Sequence, residues 1–225
     1  MKTAILASQN KKKIKEIRAI LIKYGMDVIT RDDAGIPKDE IEETGSTFEE
    51  NSHLKASTVI DMIQASAELY EKYHDSPVIA DDSGLMVEAL GGAPGVYSSR
   101  YAGEDGNAEK NNSKLLDELK GVPEEERKAF FVTVITMIFP QESTAPAEAY
   151  SEGDRKVLVA RGECHGKIAF ELKGSGGFGY DPLFIPDGYD KSFAELGTDF
   201  KNTISHRARA LEELERILEK ADLQA

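Results

Sequence analysis

The chain has 225 residues and a formal net charge of −13, and it contains one cysteine, Cys164. Such a charge argues against a protein that holds nucleic acid or an anionic membrane by general electrostatics, although a small anion can still bind where basic residues are concentrated. A single cysteine excludes an internal disulfide, no apolar run is long enough to cross a bilayer, and the first residues lack a secretory signal pattern. We therefore expect one soluble, cytoplasmic domain over residues 1–225 with a substantial buried core.

An apolar strand over residues 3–7 and a helix over residues 11–24 begin the chain. The apolar stripe of this helix consists of Ile14, Ile17, Leu21 and Tyr24. Three lysines, the last of them Lys13, fall in the first turn, which Ser8 or Asn10 can cap. The helix dipole favours negative charge there, so a bound anion would offset the repulsion. A solvated lysine cluster is the alternative.

A second strand is predicted over residues 26–30, and a polar stretch with six acidic residues follows over residues 31–45. Most acids in such a loop only interact with solvent. One of them could still supply an oxygen ligand to a divalent cation, and position alone does not choose among them.

A long helix is predicted over residues 48–73, and the spacing of Thr47 and Glu50 fits a capping box at its start. Its inward stripe consists of Val59, Ile63, Ala67 and Tyr70. Continued backwards, the same face carries Lys55 and Asn51, which are unfavourable to bury without partners. Lys55 therefore suits a cleft, where its ammonium would act as a point charge for a phosphate. A lysine that extends its ammonium to solvent is the alternative.

An acidic pair follows the apolar run over residues 78–80, which predicts a buried strand that ends at Asp81, Asp82, Ser83 and Gly84. Two adjacent carboxylates repel each other, and Mg²⁺ with a substrate phosphate is a suitable counter-charge. If the strand continues, the two carboxylates point to opposite faces and have different roles. Because all four residue types favour turns, an ordinary turn is the alternative.

The middle of the chain predicts a helix over residues 107–120, a central apolar strand over residues 129–139 and an exposed loop over residues 140–154. Two strands, over residues 155–163 and 164–172, are expected to bend around Gly162 and Gly166. His165 is expected at the surface or in a hydrogen bond, because no metal-binding partner lies at a suitable spacing.

A glycine-rich stretch over residues 173–182 would let the backbone approach a ligand closely. Within it, Phe178 and Tyr180 could stack on a base; a loop held by two aromatic side chains is the alternative. Residues 201–207 are predicted to open the last helix, with Ser205 as its N-cap. His206 and Arg207 then repeat the unfavourable positive charge of the first helix start, and one shared anion would explain both.

Several separated stretches resemble the inosine/xanthosine triphosphate pyrophosphatases. They are Ser8-x-Asn10-x-x-Lys13, Glu42-Glu43-Thr44-Gly45, Phe48-x-x-Asn51-x-x-x-Lys55-Ala56, Ala80-Asp81-Asp82-Ser83-Gly84-Leu85, Gly91-Gly92-Ala93-Pro94-Gly95-Val96-Tyr97-Ser98-Ser99-Arg100, Gly176-Gly177-Phe178-Gly179-Tyr180-Asp181-Pro182 and Ser205-His206-Arg207. Together they span nearly the whole chain. Gln9 departs from the glycine usual in this family, and residues 140–154 form a longer segment than is typical.

The resemblance implies an α/β fold with an elongated mixed central sheet flanked by helices, two lobes with the active-site cleft between them, and a homodimer. It implies Mg²⁺-dependent hydrolysis of ITP, dITP or XTP to the monophosphate and pyrophosphate. It assigns Asp82 as the catalytic carboxylate and Glu42 and Asp82 as metal ligands. It places Ser8, Asn10, Lys13 and Lys55 at the phosphates, and Phe178, Gly179, Tyr180, Asp181, Lys201, His206 and Arg207 at the base and sugar. Ser83 is also placed near the substrate.

Three rival functions remain at this point. A septum-site-type nucleotide pyrophosphatase shares the general architecture, but it expects an arginine where this chain has Lys13. A phospho-accepting receiver domain also binds Mg²⁺ with an acidic pair, but it is about half as long and places that pair after its first strand. A non-catalytic nucleotide-binding protein is the third.

Overall fold

The computed structural model describes residues 2–8, 11–37, 39, 41–140 and 145–222. The strands in this part of the chain are β1 (Lys2–Leu6), β2 (Met26–Thr30), β3 (Val78–Val87), β4 (Lys128–Phe139), β5 (Tyr150–Glu152), β6 (Arg155–Ile168) and β7 (Phe184–Pro186). The helices are α1 (Lys11–Leu21), α2 (Phe48–Ala65), α3 (Ala67–Tyr73), α4 (Ala108–Glu118), α5 (Phe193–Leu196), α6 (Thr198–Ile204) and α7 (His206–Asp222). No helix in these ranges is long and apolar enough to cross a membrane.

The strands form one mixed sheet in the order β2-β1-β3-β4-β6-β5, with β7 paired to β6. β1 runs parallel to both β2 and β3, with Lys2 opposite Met26 and Ile5 opposite Val78. β5 and β7 are antiparallel to β6. The predicted α/β class with a mixed central sheet flanked by helices is confirmed.

The chain divides into two compact units. The first comprises Met1–Asp82, Val134–Arg161 and Leu211–Ala225, and the second comprises Ser83–Thr133 and Gly162–Ala210. The prediction of a single domain over residues 1–225 stays a prediction.

The first unit has its own apolar core, to which the parallel strands and α2 contribute. Its buried members include Ile5, Val59, Ile60, Ile63, Val78, Ala80, Ile138 and Val157. The predicted capping box fixes the start of α2, because Thr47 Oγ1 accepts from the Glu50 amide at 3.1 Å and Glu50 Oε2 accepts from the Thr47 amide at 3.2 Å. The capping box therefore fixes the residue at which α2 begins and, with it, which residues of α2 face the core.

The long second helix is interrupted, contrary to the prediction of one helix over residues 48–73. Ser66 adopts an extended conformation (φ −114°, ψ 118°) and caps α3 by accepting a hydrogen bond from the Leu69 amide. The break changes the phase of the helix, so Leu69 is buried while Ala67 and Tyr70, which were predicted to face inward, are exposed. Nothing in the local periodicity marks Ser66 as a break.

The second unit has a separate core, in which Leu85, Leu115, Leu119 and Phe184 are fully buried. Arg127 lies in it with 2% exposure and donates to the carbonyls of Leu119, Ile168 and Ala169 at 2.8–2.9 Å. A buried guanidinium requires such acceptors, and these three bonds join α4 to β6 and the segment after it. Cys164 is buried here, and burial raises the pKa of its thiol to about 11.

Several strand and helix boundaries differ from the prediction. β3 continues through the acidic pair instead of ending in a turn, and β5 lies within the predicted exposed loop. All three residues of β5 are exposed, so its sequence has no alternation of apolar residues from which a strand could be predicted. Lys201 belongs to the short helix α6, and α7 begins only at His206, with Ser205 Oγ accepting from the Ala208 amide as its cap.

β6 is one continuous strand over Arg155–Ile168, not a pair bent around two glycines. A Cβ at Gly162 would collide with the backbone of α7 at His206 and Ala210, and one at Gly166 would collide with the Ile185 carbonyl. These glycines therefore allow close approach of neighbouring backbone. As predicted, His165 is exposed, and it bonds Glu163 at 3.0 Å.

We predict that Gly162→Ala destabilises the protein by about 1–3 kcal/mol, because the added methyl group must displace the backbone at the start of α7. Thermal unfolding monitored by circular dichroism should show a melting temperature lower by about 2–10 °C. Lys167→Ala, in the same strand, removes a half-buried side chain and its surface ion pair with Glu124, and should melt within about 2 °C of wild type. Equal melting of both variants would contradict the close contact at Gly162.

Candidate active site

The acidic pair lies inside β3, and each carboxylate has a lysine of its own. Lys13, from α1, forms an ion pair with Asp81. Lys55, from α2, donates to Asp82 Oδ1 at 2.9 Å. Both aspartates are buried, at 6% and 8% exposure. Because successive strand residues point to opposite faces, one strand can bury two adjacent charges and separate them, as predicted for a strand that continues.

α2 positions both polar residues predicted on its inward face. Lys55 Nζ also donates to Glu43 Oε1 at 3.1 Å, and its side chain is 16% exposed. Asn51, one turn earlier, is fully buried, and its Oδ1 accepts from the Gly45 amide at 2.8 Å. Asn51 thereby fixes the loop that carries Glu43. We call Lys13, Glu43, Lys55, Asp81 and Asp82 the carboxylate–lysine cluster.

Burial and ion pairing act in opposite directions on the pKa values of this cluster. Burial raises the pKa of the Asp82 carboxyl above its ordinary value, although the charge of Lys55 opposes the change. For Lys55, burial would lower the pKa, but the charges of Asp82 and Glu43 outweigh it and the pKa is raised. Lys55 is therefore a cation at neutral pH, and Asp82 is a more basic carboxylate than one in solvent.

Asp82 has an oxygen that suits a metal ion. Its Oδ2 is buried, and the side-chain amide of Asn51 lies close enough to the carboxyl to lower its pKa by hydrogen bonding, against the effect of burial. Those residues contain no group of three or more His, Cys, Asp or Glu side chains that could hold a metal by themselves. Mg²⁺ usually retains waters and binds one or two carboxylates together with substrate phosphates, so the residues present fit a magnesium ion that arrives with a phosphate.

The loop before α2 presents a different acid from the one assigned by the resemblance. Glu43 contacts Lys55 and adds its negative charge near Asp82, whereas Glu42 is exposed. Ser8 is half-buried in the segment between β1 and α1. Asn10, which was predicted at the phosphates, lies outside the described residues.

The second unit contains a cavity of about 300 Å³, within the range typical of small-molecule sites. The residues predicted at the base and sugar all line it, together with Ser83: Phe178, Gly179, Tyr180, Asp181, Lys201, His206 and Arg207. Sequence reasoning missed Ser98, Ser99, Asn111 and Phe131, which also line it. We call it the aromatic cavity. Phe131 lies in an apolar strand and gave no sign of a role at a site.

A buried ion pair supports the glycine-rich side of the cavity. Lys201 Nζ donates to both carboxylate oxygens of Asp181 at 2.7 Å and lies 4.1 Å from the centroid of the Phe178 ring. Asp181 Oδ2 also accepts from the Phe178 amide at 3.0 Å. The Phe178 ring remains 56% exposed, so its position is fixed while it stays available for stacking.

The two other aromatic contacts of the cavity are part of its walls. The rings of Phe131 and His206 stack with centroids 4.8 Å apart and planes inclined by 16°. Tyr180 is only 4% exposed and donates its hydroxyl to the Ser98 carbonyl at 2.9 Å, and burial raises the pKa of that hydroxyl. Of the two aromatic residues predicted to stack on a base, Phe178 is therefore the accessible one.

The fold and these two sites define an α/β protein with a buried carboxylate–lysine cluster and an aromatic cavity that contains cationic side chains. The sequence profile of the Ham1 family matches residues 4–217. The chain belongs to the Ham1 family.

Similar proteins agree over nearly the full length. A dITP/XTP pyrophosphatase of Clostridium perfringens is 48% identical over 214 residues, which cover 95% of this chain and 96% of that protein. A dITP/XTP pyrophosphatase of Bacillus subtilis is 44% identical, covering 97% and 98% of the two chains. The solved structure of the Staphylococcus aureus Ham1 protein is 39% identical, with a TM-score of 0.80 and coverage of 97% and 99%.

We predict that Asp82→Asn gains stability relative to wild type as the pH rises. A raised pKa in the folded state means that the stability contributed by the protonated carboxyl is present below the ordinary value near 4 and is lost as the pH rises through the folded value. Asp82→Asn has no carboxyl at this position, so its stability does not fall in this way as the pH rises. The difference in melting temperature, variant minus wild type, should therefore increase as the pH rises above about 4.

Glu68→Gln is a control of opposite sign. Hydrogen bonding to Lys72 lowers the pKa of the exposed Glu68, so its stabilisation is lost as the pH falls. The melting temperature of Glu68→Gln minus that of wild type should become slightly more negative as the pH rises. A difference for Asp82→Asn that shrinks with rising pH would contradict the effect of burial on Asp82.

Proposed function

We propose that this protein hydrolyses non-standard purine nucleoside triphosphates, namely ITP, dITP and XTP, to the nucleoside monophosphate and pyrophosphate. The observation that carries the proposal is that the residues assigned to the base and sugar line one cavity, while Asp82 and two lysines meet in the carboxylate–lysine cluster. Cationic side chains and carboxylates suit a polyphosphate with its metal, and an exposed aromatic ring suits a base. Relatives named dITP/XTP pyrophosphatase support the substrate class.

The cluster is proposed to bind the phosphates. In the structure, the ammonium groups of Lys13 and Lys55 are paired with Asp81 and Asp82, which holds them in place before a ligand binds. A triphosphate offers the same lysines stronger acceptors, and their charge neutralises the charge that develops on the phosphates during hydrolysis. Ser8 and Asn10 are proposed to donate to the same phosphates.

Magnesium is the proposed cofactor, with Asp82 and Glu42 as the ligands that the resemblance assigns. Glu43 is a second candidate acid, because it already lies at Lys55. When bound, the ion would polarise the phosphate oxygens and offset their charge.

Asp82 is proposed to orient and deprotonate the attacking water. The water oxygen forms a bond to the α-phosphorus, the bond to the oxygen that bridges the α- and β-phosphates breaks, and pyrophosphate leaves. The proton of the water passes to Asp82. Burial raises the pKa of this carboxyl in the protein without a ligand, which favours its accepting a proton.

The aromatic cavity is proposed to select the base. Phe178 can stack on a purine, which contributes about 1–3 kcal/mol in comparable sites. Lys201, His206, Arg207 and the backbone over residues 178–181 supply donors and acceptors around the same space. A site that hydrogen-bonds a 6-keto, N1–H edge leaves its own groups unpaired against a 6-amino purine, so it discriminates strongly.

Magnesium dependence and a homodimer stay predictions from the family resemblance, and a cytoplasmic location stays a prediction from composition. No contact within the described ranges favours one of the rival functions. The septum-site-type enzyme expects an arginine where Lys13 pairs with Asp81.

The test is a panel of triphosphates with Mg²⁺, in which pyrophosphate and orthophosphate are measured separately. We expect pyrophosphate from ITP, dITP and XTP, with kcat/KM about 10⁴ above that for ATP. Asp82→Asn should reduce turnover by about 10²–10⁴ while circular dichroism stays unchanged, and Asp61→Asn, at an exposed position, is its control. Orthophosphate release, or equal rates with ITP and ATP, would contradict the proposal.

We further predict that Lys55→Ala reduces kcat/KM for ITP by about 10²–10³, because a charge-assisted contact to the phosphates is lost and Asp82 keeps no lysine partner. Steady-state kinetics measure the effect. Lys72→Ala, which removes an exposed lysine that pairs with Glu68, should leave kcat/KM within about twofold of wild type. An unchanged kcat/KM in Lys55→Ala would remove Lys55 from the proposed site.

A further inference from the structure

Two neighbouring residues of α4, Asn111 and Asn112, are buried at 4% and 5% exposure. A buried amide is unfavourable unless its donors and acceptor are hydrogen-bonded. Adjacent positions of an α-helix differ by about 100° around the axis, so these two side chains leave α4 in different directions. They contact different loops, and both loops line the aromatic cavity.

Asn111 holds the loop that we call the first wall, residues 98–99 of the cavity lining. Its Oδ1 accepts from the Ala102 amide at 2.7 Å, and its Nδ2 donates to the Ser99 carbonyl at 2.9 Å. Asn111 thus uses both ends of its amide on one loop. The position of Ser98 and Ser99 relative to α4 follows from these two bonds.

Asn112 holds the opposite loop, which we call the second wall, residues 178–181. Its Nδ2 donates to the Gly179 carbonyl at 2.9 Å. Gly179 has φ 59°, a conformation that favours glycine, and it lies between Phe178 and Tyr180. The bond from Asn112 therefore fixes the orientation of the Gly179–Tyr180 peptide, in the loop that carries the accessible ring of Phe178.

Asn112 contributes little net stability by this arrangement. Its Oδ1 is buried and has no hydrogen-bond partner among the described residues. One hydrogen bond gained and one acceptor left unsatisfied roughly offset each other. A residue of this kind affects the position of Gly179 more than the free energy of unfolding.

A further hydrogen bond joins the walls directly, because the Tyr180 hydroxyl donates to the Ser98 carbonyl at 2.9 Å. α4 and this bond together determine the distance between the walls. We propose that Asn111 and Asn112 are positioning residues that set this distance and thereby the selectivity of the cavity for a purine with a 6-keto, N1–H edge. The inference rests on the proposed function and names residues that it does not include.

The test uses Asn112→Leu, which keeps the branched shape of the side chain and has no donor. Binding of IMP and AMP is measured by calorimetry, and kcat and KM are measured for ITP and ATP. We expect IMP affinity to fall about tenfold or more and the preference for IMP over AMP to shrink. KM for ITP should rise by a similar factor, kcat should change less than about threefold, and the melting temperature should stay within a few degrees.

Ser113→Leu places the same side chain at the next, exposed position of α4 and should behave as wild type. Asn111→Ala should also reduce the preference for IMP over AMP. If Asn112→Leu does not fold, Asn112→Ala provides the same measurements.

Wild-type IMP affinity and selectivity in a folded Asn112 variant would overturn the inference, and so would a fall in kcat with KM unchanged. If wild-type protein releases pyrophosphate from ITP in the same series, the proposed function stands even when the inference fails. If wild-type protein releases no pyrophosphate from ITP, the proposed function fails. The change in the preference for IMP over AMP in the Asn112 variant then still tests whether the walls set the selectivity of the cavity.

Discussion

The structure depends on how β3 buries two adjacent carboxylates. Asp81 and Asp82 would repel each other strongly if both faced the same side, and neither could remain ionised without a cation. The alternation of a strand separates them, and each meets a lysine from a different helix. The positions of α1 and α2 on the sheet are therefore linked to the charges on β3. The same pairing fixes the positions of the two lysine ammonium groups, which are the proposed phosphate ligands.

Buried polar groups with defined partners also organise the second unit. Arg127 bonds three backbone carbonyls, Lys201 bonds both oxygens of Asp181, and the two asparagines of α4 each fix one loop. Each of these groups would be unfavourable to bury alone, so each fixes the backbone that satisfies it. The aromatic cavity takes its shape from these bonds, and Phe178 keeps an accessible ring because the residues beneath it are held.

Several features of the site could be predicted because their physical signal is local. Lysine and asparagine on the inward stripe of a helix, and cationic residues at a helix N-terminus, are unfavourable without a partner, and Lys13, Lys55 and Asn51 do have partners. Other predictions failed because the deciding contacts are not local. The spacing of apolar residues predicts neither the break at Ser66 nor the continuous strand β6. Gly162 accommodates the backbone of α7, which is more than 40 residues away in sequence.

The sequence by itself determined the class of fold, the family, and which residue types converge on the sites, because apolar periodicity and motif spacing are properties of short segments. Only the tertiary structure decided that Asp81 and Asp82 serve different lysines, that Glu43 lies at Lys55, and that Tyr180 supports a wall while Phe178 stays exposed. It alone showed that the two asparagines of α4 form hydrogen bonds with the two walls of the aromatic cavity. The partners, the burial and the orientation of a side chain depend on how segments distant in sequence pack together. The spacing of residues within one segment does not determine that packing.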